Sequence, residues 1–122
     1  MKILWTTFQV RDLDETLAFY KKVLEVEPAR RFTAGPGREI AFLDGDGAML
    51  ELVCEEGREL RDYENVSLGY PVEDVEVKKT ELEAAGIPTS PIISPNDNLR
   101  FIFATDPNGV GVQFAEEKGG QK

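Results

Sequence analysis

The chain repeats itself once. "VRDLDETL" at Val10–Leu17 resembles "VEDVEVKK" at Val72–Lys79, and "DGDG" at Asp44–Gly47 resembles "DPNG" at Asp106–Gly109. The offset between partners is the same at both ends and the order is kept, so the halves match without a gap. Arg38 with Arg100, and Ile40 with Ile102, fall into the same register. Two copies of one unit constrain the fold more than any total does. Whatever one half builds, the other builds again.

Each half reads β-α-β-β-β. Ile3–Val10 alternates like a strand. Asp12 is placed to cap a helix running to about Leu24, with Leu13, Leu17, Tyr20 and Leu24 on one face. Arg30–Thr33, Glu39–Leu43 and Ala48–Val53 are three further strands, parted by "AGPG" and "DGDG", which have turn chemistry. In the second half Val66–Tyr70 is a strand. Glu73–Ala85 is a helix stopped by Gly86 and Pro88. Ile92–Ser94, Leu99–Thr105 and Val110–Ala115 complete the unit, with "SPND" and "DPNG" as turns. The fold class expected is α+β: two tandem βαβββ modules forming a cup-shaped mixed sheet. As one domain over 1–122, it divides into module one at 1–57, a polar connector at 58–64, module two at 65–117 and a frayed tail at 118–122. Asp12 and Asp74 are helix caps, and Asp44 and Asp106 begin tight turns through side chain to backbone bonds. None of the four is assigned catalysis.

Side chains alternate across a strand, which sorts the faces. Leu4, Thr6, Phe8 and Val10 form the more apolar face of the first strand, with Ile3, Trp5, Thr7 and Gln9 opposite. Val66, Leu68, Tyr70 and Val72 repeat that face. The apolar faces are expected on the helices, and the others around a cavity. In "AMLELV", Leu50 and Leu52 pack inward, while Met49, Glu51 and Val53 face the cavity. The repeat pairs Glu51 with Gln113 and Trp5 with Ser67. Trp5, Glu51, Ser67 and Gln113 are therefore a pseudo-symmetric cavity set, with Thr7 beside them.

Totals enter as exclusions. Lys plus Arg is 14 against 23 Asp plus Glu, a formal charge of −9, which argues against nucleic acid or an anionic membrane as partner. It favours a cationic ligand. No apolar run approaches a membrane span and no secretory leader is read at the N-terminus, so a cytoplasmic location is expected. The chain has no histidine. That removes Ser-His and Cys-His nucleophile pairs, an imidazole base and HExxH zinc sites. The one cysteine, Cys54, shares the parity of Leu50 and Leu52 and is read as a small buried residue, not a nucleophile. "EEGRELRDYE" is read as a solvated linker.

"TTFQVRDLDETLAFYKKVLEV", "AMLELV" and above all "ATDPNGVGVQFAEE" resemble the vicinal oxygen chelate superfamily, whose closing strand follows "DPDG…E". That group includes glyoxalase I, bleomycin resistance proteins, extradiol dioxygenases and fosfomycin resistance enzymes. The resemblance runs from Ile3 to Glu117. In metal-dependent members it implies ligands, typically His, Glu, His and Glu, at the positions of Trp5, Glu51, Ser67 and Gln113. Only Glu51 matches. Indole has no lone pair for a metal, and one carboxylate with two neutral oxygens suits Zn²⁺, Ni²⁺ or Fe²⁺ poorly. Neither a metal nor another cofactor is expected.

The leading expectation is a metal-independent protein that binds a small organic molecule, aromatic or cationic, in its cavity, as the resemblance to bleomycin resistance proteins implies. Trp5 is then a stacking wall. The plain alternative is that Trp5 fills the cavity. A second reading is a lyase or isomerase in which Glu51 is a general base and Ser67 and Gln113 donate to an oxyanion. Its plain alternative is that Glu51 is solvated or pairs with Arg38 or Arg100. A glyoxalase-like metalloenzyme with altered ligands and a noncatalytic accessory domain complete the set. Two modules must pair, within one chain or between chains, and a C₂ homodimer is expected.

Overall fold

The computed structural model describes residues 1–44 and 47–118. Its elements run in the order β1 (Trp5–Gln9), α1 (Leu13–Leu24), β2 (Pro28–Thr33), β3 (Arg38–Leu43), β4 (Met49–Glu55), β5 (Ser67–Pro71), α2 (Val75–Ala84), β6 (Ile93–Asn96), β7 (Leu99–Thr105) and β8 (Gly111–Glu117). The β-α-β-β-β order occurs twice, an α+β arrangement. The chain divides into two compact units, Met1–Asp62 and Tyr63–Lys122. Each unit holds one mixed four-stranded sheet, ordered β1-β4-β3-β2 in the first and β5-β8-β7-β6 in the second. In both, the strand before the helix pairs parallel with the last strand, and the remaining pairs are antiparallel. No helix among the described residues is long and apolar enough to cross a membrane.

The helices begin where the sequence indicates. Asp12 is extended and accepts from the Glu15 amide at 2.9 Å. Asp74 accepts from both Glu76 and Val77 at 2.9 and 3.2 Å. Each satisfies amides that the first turn leaves unbonded. Val75, not Glu73, is the first helical residue of α2. The buried stripe of α1 is Leu13, Thr16, Tyr20 and Val23. Leu17 and Leu24, expected there, are half-buried at its edge. The helix ends differ. Gly86, at φ +82°, closes α2 by donating to Glu83, and Ile87 then donates to Leu82, with both side chains buried. This is a Schellman close with its apolar contact. At α1 the left-handed position falls on Glu25, φ 58°, a residue without glycine's freedom.

In each unit one sheet face packs on the helix. Phe8, Leu50, Leu52, Ala41 and Leu43 are buried in the first, and Val112, Phe114, Ile102 and Ala104 in the second. Val66, expected to share the apolar face of β5, precedes the strand and is exposed. The opposite face of the first sheet has its own small core of Ile40, Phe42 and Val53, with Met49 and Ala34 against it.

The repeat is not gapless. Thr7 pairs with Glu51 and Gly69 with Gln113, so β1 and β4 match β5 and β8 at the offset read from sequence. In the hairpins, however, Phe42 pairs with Glu51 while Phe103 pairs with Gln113. The β7–β8 hairpin, from Ala104 to its partner Val112, is one residue longer than the β3–β4 hairpin from Leu43 to Leu50. One residue reverses strand parity. Ile40 therefore faces away from its helix while Ile102 is buried toward α2, and the sequence register of Arg38 with Arg100 is not structural equivalence.

Glu116 is a buried residue of β8 and accepts from the Val75 amide at 2.9 Å and from Arg100 at 2.8 Å. Residues 119–122 of the expected tail, and Gly45 and Asp46 of the "DGDG" turn, lie outside the described residues. The other turn behaves as expected: the Asp106 carboxylate accepts from the Asn108 and Val110 amides at 2.7 and 2.9 Å.

Candidate functional site

The sequence-derived residues divide between the units. Trp5, Thr7 and Glu51 lie in the first, and Ser67 and Gln113 in the second. Strand parity puts each of them on the sheet face turned away from its own helix.

In the first unit β1 and β4 run side by side, with Trp5 opposite Met49 and Thr7 opposite Glu51. The Thr7 hydroxyl donates to Glu51 Oε1 at 2.6 Å. That bond fixes the carboxylate against its sheet. Glu51 is half-buried, and its other cross-strand neighbour is Phe42. The arginine partners considered from sequence are not used. Arg100 holds Glu76 and Glu116 at 2.7 and 2.8 Å, and Arg38 sits opposite Glu55.

Trp5 remains 43% exposed. Its ring meets Phe42 edge to face, with centroids 5.4 Å apart and planes at 71°, an arrangement that suits the aromatic quadrupoles. Phe32 stacks with Phe42, their centroids 6.4 Å apart and planes at 20°. Arg30, which sequence reading passed over, lays its guanidinium 4.9 Å from the Phe42 centroid and 5.3 Å from that of Phe32. A run of alternating Arg30 and Phe32 on one strand was the available signal, but its partner Phe42 is distant in sequence.

In the second unit Ser67 lies opposite Gly111, and Gln113 opposite Gly69 and Phe103. The backbone is close to its neighbours at Gly111, where a Cβ would stand 3.3 Å from the Ser67 Cβ, and less so at Gly69, where one would make an ordinary contact of 3.4 Å with Gln113 Oε1. Ser67, Phe103 and Gly111 line an open cavity of about 440 Å³. A larger cavity of about 1070 Å³ lies in the first unit, lined by charged residues including Arg11, Arg38, Glu55 and Arg58. It touches none of Trp5, Thr7, Glu51, Ser67 and Gln113, but Cys54 lies on it. That residue is half-exposed, and its thiol donates to the Arg11 carbonyl at 3.4 Å. The full burial expected of Cys54 is not met: it is the last residue but one of β4, followed by the exposed Glu55.

The donor chemistry does not fit a transition metal. Among the described residues no three of His, Cys, Asp and Glu gather to hold an ion. Trp5 and Glu51 bring one carboxylate, already hydrogen-bonded, and Ser67 and Gln113 bring neutral oxygens.

The model of the Glyoxalase/Bleomycin resistance protein/Dioxygenase superfamily matches residues 2–114. No curated protein matches the chain. Several solved structures share its fold. The trypanothione-dependent glyoxalase I of Leishmania major is 22% identical, with a TM-score of 0.81 over 97% of this chain and 88% of that one. A glyoxalase family protein from Enterococcus faecalis is 20% identical, with a TM-score of 0.79 over 94% and 97%. The fosfomycin resistance protein FosX of Listeria monocytogenes is 17% identical, with a TM-score of 0.74 over 98% and 95%.

Proposed function

The chain belongs to the Glyoxalase/Bleomycin resistance protein/Dioxygenase superfamily, and on that premise we propose that it is a metal-independent member that binds a small organic molecule on the helix-free face carrying Trp5 and Glu51. The observation that carries this reading is the exposed Trp5 ring. It occupies a position where metal-dependent relatives are expected to hold histidine, and it is set edge-on to Phe42 beside an oriented carboxylate. A ring held in place loses little entropy on binding and adds ~1 kcal/mol beyond area burial for an aromatic partner. Sequestration, as the name of the bleomycin resistance proteins suggests, needs such a wall and no metal. The expected C₂ homodimer and the second module's Ser67 and Gln113 belong to the same proposal.

Because Trp5 is the sole tryptophan, its fluorescence reports this face alone. Titration with small aromatic compounds is expected to shift or quench the emission in a saturable way, and W5F to abolish the signal and weaken binding measured by calorimetry. Emission unchanged by every compound removes the reading. Metal analysis of the purified protein is expected to find no stoichiometric transition metal, and light scattering to give twice the chain mass.

A second reading is favoured by one observation, the fixing of Glu51 by Thr7. A carboxylate oriented on a partly apolar face is placed to take a proton from carbon beside a carbonyl. Deuterium exchange into small ketones, followed by NMR, tests it. Exchange that persists unchanged in E51Q excludes Glu51 as the base.

A further inference from the structure

One row across the first sheet adds to Glu51 a second charge, Arg30, that the binding reading leaves unused. The register sets Thr7 opposite Glu51, Glu51 opposite Phe42, and Phe42 opposite Arg30. From β1 to β2 the row reads hydroxyl, carboxylate, ring, guanidinium, all on the face turned from α1. Two interstrand spacings separate the Glu51 and Arg30 backbones, ~10 Å. Trp5 stands beside this row with its ring on the edge of Phe42.

Arg30 alters what the face can accept. Its guanidinium lies over Phe42 and Phe32, so the ring faces best placed to attract a cationic ligand already hold a cation. Among the described residues no carboxylate pairs with it, in a chain where acids outnumber bases 23 to 14. A guanidinium lying over a ring still presents its N–H edge, the geometry that receives a carboxylate on two parallel bonds. The net −9 attracts cations at a distance, but contacts within a few ångströms decide the bound state.

We propose that the ligand of this face is a small aromatic zwitterion, its anionic group on Arg30, its cationic group on Glu51 and its ring against Trp5. This rests on the reading that the face binds a ligand, and narrows it. Arg30 is the specificity residue for the anionic end, and Glu51, steadied by Thr7, for the cationic end. A ligand with a positive charge alone meets Arg30 as a like charge. One with a negative charge alone meets Glu51.

The test uses benzoate, benzylammonium and 4-(aminomethyl)benzoate, titrated into the whole protein with Trp5 emission and calorimetry as readouts. The disubstituted compound is expected to bind roughly tenfold or more tightly than either singly charged one. R30Q is expected to bring it down to the level of benzylammonium, and E51Q to the level of benzoate. Benzylammonium binding as tightly as the zwitterion, or R30Q leaving the order unchanged, overturns this proposal and leaves ligand binding at Trp5 standing. No response to any of the three overturns the binding reading and this proposal with it.

Discussion

Thr7 and Glu51 stand opposite each other on parallel strands, joined by donation from Thr7 Oγ1 to Glu51 Oε1 at 2.6 Å. The second module places Gly69 opposite Gln113 at the equivalent pair. So the hydroxyl and carboxylate are found in one module only, and the other has a bare backbone under a neutral amide. On the proposed function, this asymmetry puts the charged ligand contacts in the first module. T7V keeps the shape of Thr7 and removes the donor. It is expected to cost ~1 kcal/mol or less in urea unfolding, because the site reaches water. T7S is expected to restore the loss. A T7V cost well above that range would show a structural role for the pair.

The two helix caps give a graded comparison. Asp12 accepts one amide and Asp74 accepts two. D12A is expected to cost ~1 kcal/mol and D74A up to ~2 kcal/mol. Chemical denaturation of both variants checks the order. Equal losses would mean that the second acceptor bond at Asp74 adds nothing.

The two-module architecture was legible because its signals are local. Asp12 and Asp74 cap, Gly86 stops a helix, Asp106 organises a turn, and alternation separates Phe8 from Trp5. What sequence could not supply was register in the hairpins. Ile40 and Ile102 match as letters, yet one added residue in the second hairpin puts them on opposite faces. The same limit hid Arg30, whose meaning depends on Phe42 lying opposite it. Glu116 was invisible for another reason. A charged residue near a chain end reads as solvent-facing, and only the fold brings the Val75 amide and Arg100 to it.

Gly86 tests the backbone argument directly. At φ +82° it holds the left-handed position after α2, and an added Cβ would meet no atom within 4 Å. G86A therefore carries conformational strain without a clash. It is expected to cost ~1–2 kcal/mol, seen as a lower urea midpoint with an unchanged slope. A neutral result would mean that the α2 end relaxes out of its Schellman close.

Glu116 predicts a pH dependence. The bond from the Val75 amide, followed by that from Arg100, holds its carboxyl below the usual carboxylate range. A group whose pKa is lower folded than unfolded binds fewer protons when folded. Its contribution is complete above the unfolded pKa and is lost as pH falls through the folded one. E116Q removes the charge and keeps the size. It is expected to destabilise the protein clearly at about pH 7, where Arg100 and the first amide of α2 lose an anionic partner. The gap between wild type and E116Q should then narrow as pH falls below about 4, where the wild-type carboxylate takes up its proton. Urea unfolding of both proteins across that range reads it out. A gap that stays constant with pH would show that Glu116 acts through packing and not through its charge.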